Sequence, residues 1–351
     1  MKARVERLRG ELEDLGASTF LVAEPVNVRY LTGFASSNAA VLIGSDQVTL
    51  VTDGRYIESA RSLDGTEAVQ ADRDLASWLG ERLGELAEPP VAFEANRLTY
   101  AGYDALTSSG LELRPAKGVV EEIRSVKDKA ELDAIRRSAR VNDAAYERLA
   151  EEKFVGRTEV EVAWAMEQAL HDAGAEGLAF PVIVASGPNA ARPHHYPGVR
   201  KIGSGETVIV DAGAVVDGYS SDCTRTFTTG SLPDDLQAAY DACRRVQATA
   251  LEEVRARADA RQVNANVRTA LETAGYEVMH GLGHGVGLEV HELPVLRPTA
   301  TGSLVAGNVV TVEPGVYLAG RGGVRIEDLV IVTNDAPEIL SPFTKEVVTV
   351  A

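Results

Sequence analysis

The stretch VIVDAGAVVDGYSSDCTRTF, residues 208–227, decides the fold because it joins a turn signal to two acids inside apolar runs. The dipeptide Asp217-Gly218 supplies the positive φ angles of a two-residue hairpin turn, so the flanking runs are predicted to pair. Pairing outward from the turn places Asp211 opposite Thr224 and makes Asp211 and Asp222 diagonal neighbours on one face. Two anions on a partly buried face are destabilising without a cation. The hairpin therefore predicts a metal ion beside both aspartates.

A second hairpin repeats this device with two glutamates. Glu313 in VTVEPGVY and Glu327 in VRIEDLV flank the loop AGRGG, residues 319–323. A loop centred near Gly320 sets the glutamates opposite each other, whereas a centre one and a half residues later sets them on opposite faces. The sequence leaves both registers open. Four acids in strands still exceed what a hydrophobic sheet tolerates without a cation.

Histidines are concentrated in two short segments. Of 6 histidines, five fall in the PHH segment and in HGLGHGVGLEVHE, residues 280–292. Alternating glycines put His280 and His284 on one side and leave the other bare for a substrate or a neighbouring backbone. Four carboxylates with one imidazole favour Mn²⁺, Co²⁺, Fe²⁺ or Zn²⁺ in a two-metal site over a tetrahedral structural zinc.

Length and composition set broader limits. With 351 residues, 45% hydrophobic and 25% charged, the chain is predicted to form two globular domains. Lys+Arg 35 against Asp+Glu 52 gives a net charge of −17, which disfavours nucleic acid and anionic membranes as partners. There is no apolar run of membrane-spanning length and no apolar leader, so we expect a cytoplasmic protein. Cys223 and Cys243 are expected to be reduced and structural.

The order of apolar patterns predicts an α/β domain over residues 1–122 and an α+β domain over residues 123–351. The first begins with an amphipathic helix and alternates short apolar runs with the helical pattern DLASWLGERLGELA. In the second, two helical patterns precede each hairpin, and one of them starts at Thr158, whose spacing from Glu161 fits a capping box. The last strands are expected over GNVVTVEPGVYL and GGVRIEDLVIVT. This repeat predicts a pseudo-symmetric antiparallel sheet covered on one face by helices.

The ordered motifs of the chain resemble those of the pita-bread metallopeptidases, namely VDAG, YSSDCTRTF, GLGHGVGLEVHE, VEPGVY and VRIED, with PHH upstream. The likeness is strongest to the branch of Xaa-Pro dipeptidase (prolidase) and Xaa-Pro aminopeptidase (aminopeptidase P). Two segments, NVRYLTGF and TDGRY, are similar to the creatinase-type amino-terminal domain of that branch. The resemblance implies a pita-bread catalytic domain behind a creatinase-like domain. It also implies a homodimer in which the partner's amino-terminal domain helps to close the site.

The resemblance assigns a role to each candidate site residue. Five positions match the metal ligands: Asp222 and Glu327 bridging two ions, Asp211 on one ion, and His284 with Glu313 on the other. Three further positions match histidines around the substrate, namely His194, His280 and His291. Tyr317 and Arg325 match a pair that hydrogen-bonds near the first aspartate.

The implied reaction is hydrolysis of the bond before proline in short peptides or dipeptides. That bond is a tertiary amide without an N–H, so it needs a dedicated site. Two divalent cations, Mn²⁺ or Co²⁺ first and Zn²⁺ or Fe²⁺ as alternatives, would lower the pKa of a water. Glu313 would accept the proton of that water. His291 would stabilise the oxyanion, His194 would assist the leaving nitrogen, and His280 would line the proline pocket.

Other functions fit parts of the sequence. A creatinase-like C–N hydrolase shares the amino-terminal domain but works without metal and lacks the full acidic set. A methionine aminopeptidase shares the metal site but normally lacks a leading domain, and non-catalytic pita-bread modules that bind peptides typically lose ligands. The alternating glycines could indicate a nucleotide loop, but no Lys-Ser/Thr follows them.

The choice between dipeptidase and aminopeptidase stays open at the level of sequence. It depends on whether a cation closes the cleft beyond the proline, and four arginines are candidates for that clamp: Arg192, Arg200, Arg297 and Arg321. His195 is expected to be no more than a polar neighbour of His194. His171 is expected to cap the end of its helix.

Overall fold

The structure is a computed structural model that describes residues 2–351. Two compact units divide the chain, Met1–Arg124 and Ser125–Ala351. The helices of the first unit are α1 (Lys2–Leu15), α2 (Pro25–Thr32), α3 (Ile57–Arg61), α4 (Leu75–Leu86), α5 (Tyr100–Thr107) and α6, which runs to the boundary (Val119–Ser125). Its strands are β1 (Thr19–Val22), β2 (Ala39–Ile43), β3 (Val48–Asp53), β4 (Glu67–Ala71), β5 (Val91–Glu94) and β6 (Leu113–Ala116).

The first unit is an α/β fold built on one six-stranded sheet. The strand order is β4-β3-β2-β1-β5-β6, with antiparallel pairing in the β1-β2-β3 part and parallel pairing outside it. The predicted amphipathic helix is α1, whose residues Val5, Leu8 and Leu12 are buried. It ends before Gly16, which has a φ of 58° that suits glycine.

The second unit contains four long helices and a set of short antiparallel strands. The helices are α7 (Lys129–Leu149), α8 (Glu159–Asp172), α9 (Asp234–Glu253) and α10 (Ala260–Thr273). The first strands are β7 (Gly177–Leu178), β8 (Ile183–Ser186), β9 (Thr207–Ala212), β10 (Ala214–Val216), β11 (Tyr219–Ser220) and β12 (Cys223–Thr228). The remaining strands are β13 (Gly283–Gly285), β14 (Glu292–Leu296), β15 (Val309–Val312), β16 (Gly315–Leu318), β17 (Gly322–Arg325), β18 (Asp328–Ile331) and β19 (Glu338–Ile339).

The predicted pseudo-symmetry is confirmed, because each half packs a pair of helices on a hairpin. In the first half, α7 and α8 share a buried cluster with β9 and β12 that includes Tyr146, Met166 and Phe227. In the second half, α9 and α10 share a second buried cluster with β15 to β18. The capping box at the start of α8 is also present, with reciprocal bonds between Thr158 and Glu161. Both cysteines are free and buried, as expected.

Both hairpins have interrupted strands near the acids, although the sequence was expected to form uninterrupted strands there. Gly213 separates β9 from β10, and Asp222 lies in the gap before β12. Glu313 lies between β15 and β16, and Glu327 between β17 and β18. Pro314 has no N–H to donate to the ladder, which accounts for the break at Glu313. Asp222, Glu313 and Glu327 therefore lie at breaks between strands, whereas Asp211 lies within β9.

Candidate metal centre

The first hairpin brings Asp211 and Asp222 to one buried face. Asp211 pairs with Thr224 across β9 and β12, so the predicted register is confirmed. Asp217 and Gly218 have φ values of 52° and 77°, the positive angles that the predicted turn requires. Both aspartates are buried.

The second hairpin takes the first of its two open registers. β15 with β18 and β16 with β17 pair in one continuous register centred on Gly320. Glu313 therefore faces Glu327 across the gap between the two strand pairs. The Glu327 N–H donates to the Thr224 carbonyl at 3.1 Å, which joins the two hairpins at the acids. All four carboxylates thus belong to one continuous surface.

The His284 imidazole completes the cluster. Its Nε2 lies 3.6 Å from Asp222 Oδ2 and 3.4 Å from Glu313 Oε1. Its Nδ1 lies 3.1 Å from the Gly285 carbonyl, which leaves Nε2 directed at the acids. Asp222, His284 and Glu327 each offer one ligand atom, and these atoms lie within 4.8 Å of one another. A single ion can contact all three groups.

The bare side of the glycine segment faces neighbouring strands. A Cβ at Gly283 would overlap the Thr311 carbonyl oxygen, and a Cβ at Gly285 would overlap the Leu293 carbonyl oxygen. The sequence left this side open to either a substrate or a neighbouring backbone. In the structure, the backbone of β14 and β15 lies against it. The glycines allow His284 to be pressed into the sheet beside the acids.

Arg325 is a buried cation that contacts the cluster from the side of Asp211. Its Nη2 donates to Asp211 Oδ2 at 2.6 Å, and its Nε donates to the Thr224 hydroxyl at 3.0 Å. Its Nη1 donates to the Tyr317 hydroxyl at 3.1 Å. Tyr317 and Arg325 therefore meet next to Asp211.

Tyr317 also contacts His280. The Tyr317 hydroxyl lies 2.8 Å from His280 Nε2, and His280 Nδ1 lies 2.8 Å from the Gly281 carbonyl. A carbonyl accepts only, so His280 carries its proton on Nδ1 and accepts the Tyr317 hydroxyl at Nε2. Burial is the main cause that lowers the pKa of His280 to about 4, the charges of Arg325 and His194 contribute to this lowering, and the bond to the Gly281 carbonyl opposes it. His280 is therefore a neutral ring held in place.

Two threonines beside the acids were missed by the sequence argument. The Thr224 hydroxyl donates to Glu327 Oε2 at 2.6 Å. The Thr311 hydroxyl donates to Glu313 Oε1 at 3.2 Å and accepts the His284 N–H at 3.0 Å. Each threonine lies two positions from an acid, which is the spacing of residues that share a strand face. That spacing was the available signal.

Burial makes this cluster unfavourable as a set of free anions. It raises the pKa of Glu313 to about 8. It also raises the pKa of Asp222 and Glu327 well above their usual range, and the neighbouring carboxylates raise both further. Burial lowers the pKa of His284 to about 4, so the imidazole is neutral and can act as a ligand. A divalent cation would stabilise the anionic carboxylates that burial disfavours.

Asp211 supplies a further test of whether an ion fits. Its Oδ2 accepts Arg325, but its Oδ1 is buried without a hydrogen-bond partner. Buried polar atoms are nearly always paired, so an orphaned carboxylate oxygen indicates a missing cation or water. The donors are oxygen atoms plus one imidazole nitrogen, a set that suits Mn²⁺, Co²⁺, Fe²⁺ or Zn²⁺. The residues present fit divalent metal.

Comparison with known proteins identifies the family. Residues 133–334 match the profile of metallopeptidase family M24, and residues 4–126 match the creatinase/prolidase N-terminal domain. The chain belongs to metallopeptidase family M24. It is an enzyme that hydrolyses peptide bonds, and its family relies on divalent metal.

The M24 chain is similar over nearly its whole length to proteins with named activities. It is 30% identical to an Xaa-Pro dipeptidase of Pyrococcus furiosus over 99% of each chain. It superposes on the structure of an Xaa-Pro dipeptidase from Bacillus anthracis with a TM-score of 0.95, 33% identity and 99% of each chain covered. It also superposes on an X-Pro aminopeptidase from Thermotoga maritima with a TM-score of 0.89 and 28% identity, covering 98% and 99% of the two chains.

His194 and His291 are the two other histidines that the resemblance places around the substrate. The His291 ring centroid is 4.2 Å from that of His284. His194 and His291 are both exposed, unlike the buried ligand candidates. Partial desolvation of the ring still lowers the pKa of His291, Asp211 opposes that effect, and His194 adds to it. His291 therefore lies beside the ligand candidate His284, and His280 lies beside Tyr317.

His195 makes a contact that the sequence argument did not predict. Its Nε2 lies 2.8 Å from Oε2 of the fully buried Glu159. The two residues are 36 positions apart, and no local pattern signals the contact. His171 lies at the end of α8, where its Nδ1 is 3.3 Å from the Ala175 carbonyl, past the helix.

Two of the four candidate clamp arginines are already paired. Arg200 forms an ion pair with Glu206, and Arg321 forms one with Asp235 at 2.8 Å. Arg192 and Arg297 are exposed, and within residues 2–351 neither makes an ion pair with a carboxylate. In the same part of the chain, no helix combines the length and apolar character needed to cross a bilayer.

Proposed function

We propose that this M24 metallopeptidase is a two-metal exopeptidase that hydrolyses the Xaa-Pro bond of dipeptides or at the amino terminus of short peptides. The observation that carries the proposal is the convergence of the Asp222, His284 and Glu327 donors within 4.8 Å. Asp211 and Glu313 flank that group. The relatives named for Xaa-Pro cleavage support the substrate class. We further propose that the chain acts in the cytoplasm as a homodimer.

The ligand assignment that we propose is the one that the family resemblance implies, and the geometry of the two hairpins supports it. Asp222 and Glu327 come from different hairpins and would both help to hold the ions. The open Oδ1 of Asp211 would bind one ion. Glu313 and His284, which approach to 3.4 Å, would bind the other. We propose Mn²⁺ or Co²⁺ as the ions, because a mostly carboxylate set favours harder cations, with Zn²⁺ or Fe²⁺ as alternatives.

The acids and the buried arginine prepare the site for hydrolysis. When bound, the ions lower the pKa of an attacking water and polarise the scissile carbonyl. Glu313 would accept the proton of that water, and Thr311 holds its Oε1 by a hydrogen bond of 3.2 Å. Arg325 holds Oδ2 of Asp211 and so leaves Oδ1 for an ion. Thr311 and Arg325 thus hold the carboxylates of Glu313 and Asp211.

The three histidines would contact the substrate. His291 would donate a hydrogen bond to the developing oxyanion, since its ring lies next to that of His284. His194 would assist the leaving imino nitrogen. His280 is neutral and bonded to Tyr317, so it would form the wall of the proline pocket without moving a proton.

Removal and replacement of the metal tests the proposal. We expect dialysis against a chelator to abolish turnover of Ala-Pro and Ala-Pro-Ala, and Mn²⁺ or Co²⁺ to restore it. Ala-Ala serves as the control substrate without proline. Activity that survives the chelator would refute the metal mechanism, and equal turnover of Ala-Ala would refute the proline specificity.

The same substrates separate the two specificities. A dipeptidase cleaves Ala-Pro and ignores Ala-Pro-Ala, whereas an aminopeptidase releases alanine from the tripeptide. Arg192 and Arg297 remain the candidates for a cation that closes the cleft, because they are exposed and make no ion pair within residues 2–351.

A further inference from the structure

A buried carboxylate outside the metal centre holds the loop that carries His194. Glu159 is the first residue of α8, and its side chain is 0% exposed. Its Oε1 accepts the Ser186 N–H at 2.9 Å and the Ser186 hydroxyl at 2.8 Å. Its Oε2 accepts His195 Nε2 at 2.8 Å and the Gly198 N–H at 3.1 Å. One carboxylate therefore binds both ends of the segment 186–198.

His194 lies between two fixed points of this loop. On its amino side, the Pro193 carbonyl accepts Arg325 Nη1 at 3.0 Å. On its carboxyl side, His195 donates to Glu159. The backbone is therefore held on both sides of His194, while its side chain is exposed. The first anchor belongs to the metal centre, and the second does not.

We propose that Glu159 is a positioning residue, which acts through His195 to hold His194 in the orientation that the reaction requires. The proposal rests on the proposed function, because it gives His194 a role at the leaving nitrogen. The hydrogen-bond partners of Glu159 are Ser186, Asn189, His195 and Gly198, and none of them is a candidate metal ligand. A displacement of about 1 Å in a reacting group can cost on the order of 100-fold in rate, so an anchor of this kind affects catalysis directly.

The environment of Glu159 requires a carboxylate. Its oxygens face two backbone N–H groups, the Ser186 hydroxyl, the imidazole of His195, and the Asn189 amide at 3.0 and 3.2 Å. Burial opposes ionisation, but the bonds from Asn189, His195 and Ser186 hold the pKa of Glu159 below its usual range. Glutamine has nearly the same shape but turns an N–H toward other donors in either orientation.

Kinetics of matched variants test the role. With Mn²⁺ and Ala-Pro, we expect Glu159→Gln to lower kcat by about 10-fold to 100-fold with little change in KM. Glu167→Gln removes the same charge from the same helix and is expected to keep kcat within about twofold. His195→Leu should resemble Glu159→Gln. His195→Gln keeps an amide donor at similar reach and should recover most of the activity.

A double variant separates positioning from general damage. If Glu159 acts through His194, Glu159→Gln should lower kcat by less than about twofold in a His194→Ala background. A merely structural defect would lower kcat by the same factor in both backgrounds. Full activity of Glu159→Gln, or equal factors in the two backgrounds, would overturn the proposal.

Hydrogen exchange on the Mn²⁺-loaded protein gives a readout that does not depend on turnover. The Ser186 and Gly198 amides donate to Glu159, so Glu159→Gln should speed exchange in residues 186–198 and leave α8 protected. Unchanged exchange would overturn the proposal. If Glu159→Gln does not fold, the His195→Leu and His195→Gln pair tests the same anchor. Failure of the wild type to cleave Ala-Pro would refute the proposed function alone, and the exchange result would still decide whether Glu159 holds the loop.

Discussion

Replacing Thr224 by valine tests the hydrogen bonds that orient a proposed bridging ligand. The Thr224 hydroxyl is buried, donates to Glu327 Oε2 at 2.6 Å, and accepts Arg325 Nε at 3.0 Å. Valine keeps the branched shape but lacks the hydroxyl. The change therefore removes one bond to the anionic Glu327 and one from the cationic Arg325.

The expected loss can be estimated from these two bonds. A hydrogen bond to a charged group contributes about 1.5 to 3 kcal/mol. Arg325 keeps its bonds to Asp211 and Tyr317, so we expect the loss at Glu327 to dominate. A loss of that size weakens Mn²⁺ binding by about 10-fold to 100-fold, which is the usual effect of removing a group that orients a metal ligand.

Calorimetric titration of Mn²⁺ into chelator-treated protein measures this loss. The control is Thr228→Val on the same strand, since the Thr228 hydroxyl contacts the Thr349 hydroxyl at 3.1 Å and no candidate ligand. We expect the control to bind Mn²⁺ within about twofold of the wild type. Equal affinity of Thr224→Val and the wild type would refute either the orienting role of Thr224 or the assignment of Glu327 as a ligand.

Two further predictions concern the acids and their arginine. Burial raises the pKa of Glu313 from 4.5 to about 8. Because the metal-free fold favours the protonated carboxyl, its stability is highest below about pH 4.5 and is lost as pH rises through 8. Scanning fluorimetry should therefore show the Tm of metal-free protein falling across that window and Mn²⁺ restoring it at pH 8, and a flat profile would contradict the assignment. Arg325→Lys loses the fork that reaches Asp211 and Tyr317, so we expect kcat to fall by about 10-fold to 100-fold. Wild-type turnover by that variant would show that these contacts are dispensable.

The first hairpin could be predicted from sequence because its register is set locally. Asp217 and Gly218 lie next to each other and supply the turn themselves, so counting outward placed Asp211 opposite Thr224. The same argument could also have identified Thr224 as a neighbour of the acids, since it lies two positions from Asp222 on one strand face. Local turn chemistry and a period of two sufficed.

The second hairpin could not be placed in the same way. Its loop, residues 319–323, holds three glycines, and these tolerate more than one turn position. Packing of β15 and β18 against α9 and α10 buries one face and selects the register that sets Glu313 opposite Glu327.

The sequence by itself determined the two-domain order, the turn of the first hairpin, and which acids and histidines form the candidate centre. Only the tertiary structure decided that His195 bonds to Glu159, that backbone lies against the bare side of Gly283 and Gly285, and that Asp211 keeps one oxygen without a partner. The physical reason is distance along the chain. Turns and face periodicity act between neighbouring residues, whereas these contacts join residues brought together only when helices and hairpins pack.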